Sequence, residues 1–251
     1  MGPITYLRHG RIRRANAYPA TALVVAAALW GMAATGTKYA LGGMGPLTLL
    51  AVELLAATIV LWSVLIVRGY RAPSSWRLVT ALGLLEPALA YLADTFGLSR
   101  TSASNAAVLT GLESGFVVVL AVIFLGDRMN RLVCVAVVTG LLGLVILEHD
   151  SWLTGPSVGD ALVLCGALSA ALYTIVAQRM DHQDADALTV TAHQFAVATL
   201  AILPLAVISW STGHETFPTS VPIRFWTVAV LVGIGGFATS FTLYNLSLIH
   251  I

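Results

Sequence analysis

Eight apolar stretches run at about 18–39, 45–67, 77–98, 103–125, 132–147, 158–179, 187–210 and 225–248. Most are near the roughly 20 residues that cross a hydrocarbon layer at 1.5 Å per residue. Inside lipid every backbone polar group must be bonded within the chain, so runs of this length are expected as helices. Composition agrees: 58% of the residues are apolar and only 10% are charged. A soluble domain carries about 25% charged residues to wet its surface, and this chain has too few to do so. The expected fold class is therefore all-α, a polytopic membrane helical bundle.

Charge placement sets an expected orientation. With the amino terminus in the cytoplasm, Arg8, Arg11, Arg13, Arg14, Arg68, Arg71, Arg77, Arg128, Arg131 and Arg179 fall inside, and Lys38, Arg100 and Arg224 outside. That is the positive-inside bias. The basic opening resembles the start of a secretory signal, but the apolar run after it is too long and no cleavage-like stretch follows. The first run is thus expected to be an uncleaved helix in a cell inner (plasma) membrane, with residues 1–17 cytoplasmic. A formal net charge of +1 excludes a general attraction to nucleic acid.

The second constraint is internal similarity. Ala22-Leu23-Val24 through Ala28-Leu29 parallels Ala161-Leu162-Val163 through Ala167-Leu168, with Thr35 opposite Thr174. Leu47-Thr48, Ala51, Glu53 and Ala57-Thr58 parallel Leu188-Thr189, Ala192, Gln194 and Ala198-Thr199, and Gly83, Ala88 and Leu98 parallel Gly233, Ala238 and Leu248. The first copy, 18–148, holds five spans. Five is odd, so a second copy from 158 to 251 inserts upside down, an arrangement typical of secondary transporters. Only three spans of that copy are present, about 8 of 10 in all. The expectation is a truncated product lacking the counterpart of 99–148, with Ser247-Leu248-Ile249-His250-Ile251 unmatched in the first copy.

Leu29-Trp30-Gly31, Lys38-Tyr39-Ala40-Leu41, Pro46-Leu47-Thr48, Gly97-Leu98-Ser99-Arg100-Thr101-Ser102-Ala103 and Phe124-Leu125-Gly126-Asp127-Arg128 stand in order along the first copy. Gly159-Asp160-Ala161 and Gln194-Phe195 follow in the second. Together these resemble the EamA-type branch of the drug/metabolite transporter superfamily, over about residues 20 to 248. The resemblance implies ten helices in two five-helix repeats and export or import of metabolites, amino acids or drugs. Three departures stand out: Glu113-Ser114 where the family has Pro after the glutamate, Glu53 where arginine is common nearby, and Asp127 for glutamate.

Acids inside the spans are the sharpest chemical signal. Glu53, Glu86, Asp94 and Glu113 all fall there, and each charged carboxyl at mid-membrane costs about 2.5–3.5 kcal/mol on insertion scales. Such groups face a wet cavity, find partners or stay protonated. Glu86 and Glu113 lie near mid-span; Asp94, Glu53 and Lys38 lie nearer the outer ends, so Lys38 is a candidate to neutralise an acid. Tyr91 shares a helix face with Asp94, as Thr110 does with Glu113. Trp30, Asn105, His193 and Gln194, the last mirroring Glu53, complete the substrate or proton-binding candidates. The bland alternatives are snorkelling at the interface and structural bonds between helices.

Other motifs dissolve on inspection. Gly233-Ile234-Gly235-Gly236-Phe237-Ala238 fits a dinucleotide fingerprint, yet it sits mid-span with no acid downstream, and close helix packing explains it better. Cys134 and Cys165 read as small hydrophobes. Asn245-Leu246-Ser247 is a glycosylation sequon within a helix. No HExxH, GxSxG, P-loop or metal-spaced His/Cys cluster occurs. The expectation is a secondary, non-ATP-driven exporter of small metabolites or drugs, with alternating access between two repeats. It needs no catalytic residue, metal or cofactor, its partners are a small-molecule solute and the bilayer, and a homodimer is left open. An inactive transporter fragment and a membrane-embedded enzyme are the alternatives.

Overall fold

The computed structural model describes residues 17–70, 72–73, 75–126, 134–135, 137–140, 142–143, 157–178 and 186–250. Helices α1 (Ala17–Ala40) and α2 (Pro46–Arg68) are followed by α3 (Trp76–Gly83), a π-helical segment π1 (Leu84–Leu89) and α4 (Ala90–Leu98). Then come α5 (Ala103–Thr110), α6 (Glu113–Leu125), α7 (Val158–Ala177), α8 (Ala187–Ser211), α9 (Ile223–Leu231), π2 (Val232–Thr239) and α10 (Ser240–His250). Among the described residues six stretches are long and apolar enough to cross a membrane: 46–68, 76–98, 103–125, 158–177, 187–211 and 223–247. The 24-residue α1 is also long enough. Seven of the eight expected spans thus appear as helices. Half of the fifth, 132–147, lies outside the described residues, as do Arg8, Arg11, Arg13, Arg14, Arg71, Asp127, Arg128, Arg131 and Arg179.

Local chemistry sets the helix ends. Pro46 opens α2, where its missing N–H costs nothing. Ser102 caps α5 through the Asn105 N–H at 3.0 Å, and Ser157 with Asp160 forms a capping box on α7. Gly126 ends α6 with a left-handed φ of 71°, a conformation that a Cβ would oppose.

Two spans are broken near their middles. Pro87 cannot donate to the helix ladder, and Glu86 just before it takes extended dihedrals, φ −149° and ψ 126°. The fourth span is two helices joined at Gly111-Leu112, so Glu113 stands at the first position of α6.

Helix packing is reciprocal. α2 lies against α8; α1 packs on π2 and α10, while α7 packs on π1 and α4. Residues that parallel one another in sequence meet across the centre. Thr58 and Thr199 hydroxyls share a 2.8 Å hydrogen bond. A Cβ on Gly83 would strike the Gln194 backbone, and one on Gly233 would strike the Glu53 carbonyl. Two glycines of the 233–238 motif serve such approaches, Gly233 letting π2 come close to α2 and Gly236 letting it come close to α1 at Ala33. The core at this junction includes Leu50, Leu54, Tyr173, Phe195 and Phe241, while Val24, Ile59, Val67, Leu200 and Leu231 stay exposed on the outer faces, where lipid would lie.

Candidate functional site

The breaks place acids where regular helices would not. Glu86 sits in the unwound turn of π1, is 9% exposed, and makes no side-chain hydrogen bond among the described residues. Asp94 lies two turns further along that span, its carboxylate against Gly166 of α7 and its Oδ1 buried without a partner. Glu113 and Asp94 are both within electrostatic reach of Glu86. Glu113 also lines a hollow of about 430 Å³ with Thr110, Gly111, Ser114, Val117, Thr174 and Tyr244. Among the described residues no three His, Cys, Asp or Glu side chains converge closely enough to hold a metal ion. The three carboxyls share a field, not a coordination sphere.

Aromatic and amide groups wall this region. The Trp30 indole N–H donates to the Tyr91 hydroxyl at 3.2 Å, and Tyr91 packs against Phe237 with ring centroids 4.4 Å apart. Thr174 and Tyr244 hydroxyls are 3.1 Å apart on the hollow's wall. Beside them Gln194 donates to the Tyr173 hydroxyl at 3.2 Å, Tyr173 donates to Asn245 Oδ1 at 2.9 Å, and Asn245 donates back to Gln194 Oε1 at 3.3 Å. Closed polar rings of this kind hold buried side chains in one arrangement. Tyr91, Tyr173 and Tyr244 all lie within electrostatic reach of Glu86.

The structure sorts the sequence candidates. Glu86, Asp94, Glu113, Tyr91 and Trp30 come together, with Gln194 adjoining through Tyr173. Lys38 does not neutralise an acid, contrary to expectation. Its ammonium donates to the carbonyls of Leu98 (2.6 Å) and Thr101 (2.7 Å), binding the carbonyl end of α4. Asn105 belongs to the junction of α5 with α7, within electrostatic reach of Asp160, which accepts from Thr101 at 2.5 Å. His193 stacks on Tyr70 and Trp62 at the opposite end of α2; its Nδ1 meets the Thr189 carbonyl at 3.0 Å, so that nitrogen carries the proton, and the Tyr70 hydroxyl lies 3.0 Å from Nε2. Glu53 is enclosed elsewhere, with the Thr37 hydroxyl 2.9 Å from its Oε1.

Tyr173, Thr174, Tyr244 and Asn245 were absent from the sequence-derived site. Thr174 stood out only as Thr35's counterpart, and Asn245 only as a sequon. Pro87, directly after Glu86, is the signal that marks the helix break.

Among the described residues six membrane-length apolar helices, one of them broken at the buried Glu86, define a multi-pass membrane protein. The model of the EamA-like transporter family matches residues 18–148 and 157–251, and the chain belongs to that family. Two relatives from Archaeoglobus fulgidus are each described as an uncharacterized transporter. One is 28% identical over 155 residues, covering 61% of this chain and 54% of the relative. The other is 27% identical over 174 residues, covering 65% and 58%. The chain thus spans a little over half the length of these curated relatives. A solved crystal structure superposes with TM-score 0.64 at 21% identity, covering 90% of this chain and 78% of that one, a likeness of fold alone.

Proposed function

We propose that this protein is a gradient-driven exporter whose solute is a small organic cation, held at Glu86, Asp94 and Glu113. The observation that carries this reading is the meeting of three carboxyl groups at interrupted mid-span helices, with aromatic rings nearby and no basic side chain among them. A cation is favoured there by the carboxyl charges and by the faces of Trp30 and Tyr91. Glu113 at the start of α6 borders the hollow, where a solute would reach its carboxyl.

Access alternates between two inverted repeats, 18–148 and 158–251, moving about the α2–α8 contact, with the Lys38 end of the bundle outside and the Tyr70 end cytoplasmic. The reciprocal packing of the two segments and the distribution of Arg residues support this.

The test is flux in proteoliposomes with tetraethylammonium, ethidium, an amino acid and a neutral sugar as probes. The reading expects saturable movement of a cation and none of the sugar. Glu113→Gln, which keeps shape and removes charge, should weaken apparent cation affinity by about tenfold, the worth of roughly 1.4 kcal/mol. Cation flux identical in Glu113→Gln and parent at every pH, with equal incorporation, would make Glu113 structural and refute the assignment.

A further inference from the structure

Glu53 stands apart from the carboxyls of the hollow. Its side chain is fully enclosed. Thr37 of α1 donates to Oε1 at 2.9 Å, and the buried Oε2 has no partner. Among the described residues no cation answers it from the neighbouring elements. Lys38, next along α1, is committed to the Leu98 and Thr101 carbonyls, and Arg224 at the start of α9 is exposed over the Phe225 ring. Of the other elements packed on α2, α4 carries Tyr91 and Asp94 and α8 carries His193, Glu215 is bound to the first N–H groups of α2, and π2 brings no titratable side chain.

A carboxylate shut away with one hydroxyl donor and an empty second oxygen is incompletely satisfied. The smallest ligand that completes it is a proton. Gln194, which parallels Glu53 in sequence, shows the completed neutral form: it is equally enclosed, and both ends of its amide are bonded.

One element touches both the backbone of this residue and the aromatic wall beside the other acids. Gly233 of π2 packs directly on the Glu53 backbone carbonyl, and Phe237, four residues on, packs on Tyr91, within electrostatic reach of Glu86. We propose that Glu53 is a proton-binding site separate from the cation site, and that π2 couples its loading to solute binding. The step is a proton transfer only. A proton from water forms an O–H bond on the free carboxylate oxygen and cancels its charge; release to water on the other side restores the carboxylate. No electrons move. Entry of the proton cancels the uncompensated charge on α2, against whose backbone at Glu53 π2 packs, while the ionised form favours an arrangement in which water reaches the acid. A shared element with two arrangements that both ligands bias is what coupling requires.

This coupling rests on the cation-export reading, whereas the proton site itself does not, so the experiment has two arms. In the first, infrared difference spectra of the full chain in lipid are recorded across pH. The parent should show a titrating carboxylic C=O band that Glu53→Gln lacks, and Thr37→Val should shift its pH midpoint. An unchanged set of carboxyl bands in Glu53→Gln overturns the proton site, whatever the protein transports. In the second, ethidium and tetraethylammonium fluxes in proteoliposomes are driven either by a pH gradient or by exchange for the same cation. Glu53→Gln should lower the ratio of gradient-driven to exchange flux by about tenfold or more, within the usual span of site-to-site coupling. A ratio equal to the parent's overturns the coupling. If the parent moves no cation in either mode, the export reading fails while the infrared arm still decides the proton site.

Discussion

Replacing Glu215 tests how the two halves are clasped at the Lys38 end of the bundle. This acid lies in the connection between α8 and α9 and reaches across to the start of α2. It accepts the Leu47 N–H at 2.8 Å, the Thr48 N–H at 2.9 Å and the Thr48 hydroxyl at 2.6 Å. Trp210 of α8 donates to that same hydroxyl at 2.8 Å. Gly45 offers no side-chain cap, so a residue about 170 positions away supplies it. Losing a cap costs about 0.5–2 kcal/mol, and losing an anion at a helix N-terminus about 0.3–1 kcal/mol. The site is only partly buried, so water recovers some of the bonding. Glu215→Ala should therefore cost about 2 kcal/mol, or about 4–8 °C in thermal midpoint for a chain of this size. Glu215→Gln keeps one acceptor oxygen but turns an amide toward the second N–H, and should recover about half. Gly45→Ala supplies a cross-check, because its Cβ would displace the Glu215 carboxylate. It should destabilise the parent yet be nearly neutral in Glu215→Ala, the non-additivity expected of two changes on one contact. The assay is thermal unfolding of purified protein in detergent. A midpoint for Glu215→Ala within about 1 °C of the parent, or additive effects in the double variant, would refute the clasp.

Two further expectations concern packing and topology. Gly97→Ala would place a Cβ 2.8 Å from the Gly159 carbonyl oxygen and 2.9 Å from the Val163 nitrogen, so overpacking should cost about 1–3 kcal/mol, while Gly115→Ala meets open space and should be neutral by the same unfolding assay. With Cys134 and Cys165 replaced by alanine, a cysteine at exposed Phe217 should react with an impermeant thiol reagent from outside intact cells, and one at Ala72 only after permeabilisation; the reverse pattern would invert the orientation.

The sequence by itself determined the spans and their small-residue contacts. It placed 45–67, 103–125 and 187–210, and the helices at 46–68, 103–125 and 187–211 differ by at most one residue at either end, because apolar length, Pro46, Ser102 and the loop glycines are local properties. It also placed four acids within the apolar spans, at heights that 1.5 Å per residue converts from position. Only the tertiary structure decided which of them meet. Rotation about a helix axis and choice of neighbour depend on contacts between residues far apart in the chain. Lys38 reaches Leu98, Glu215 reaches Leu47, and Tyr173 reaches Asn245 across 60, 168 and 72 positions. Nothing local in Lys38 distinguishes an ammonium bound to backbone carbonyls from one that neutralises an acid. Nothing local in Glu53 and Glu86 says that one is enclosed under π2 and the other faces Glu113. Those assignments follow from breaks at Pro87 and Gly111-Leu112 and from glycines that let helices cross closely, and their consequences appear only once the partner helix is in place.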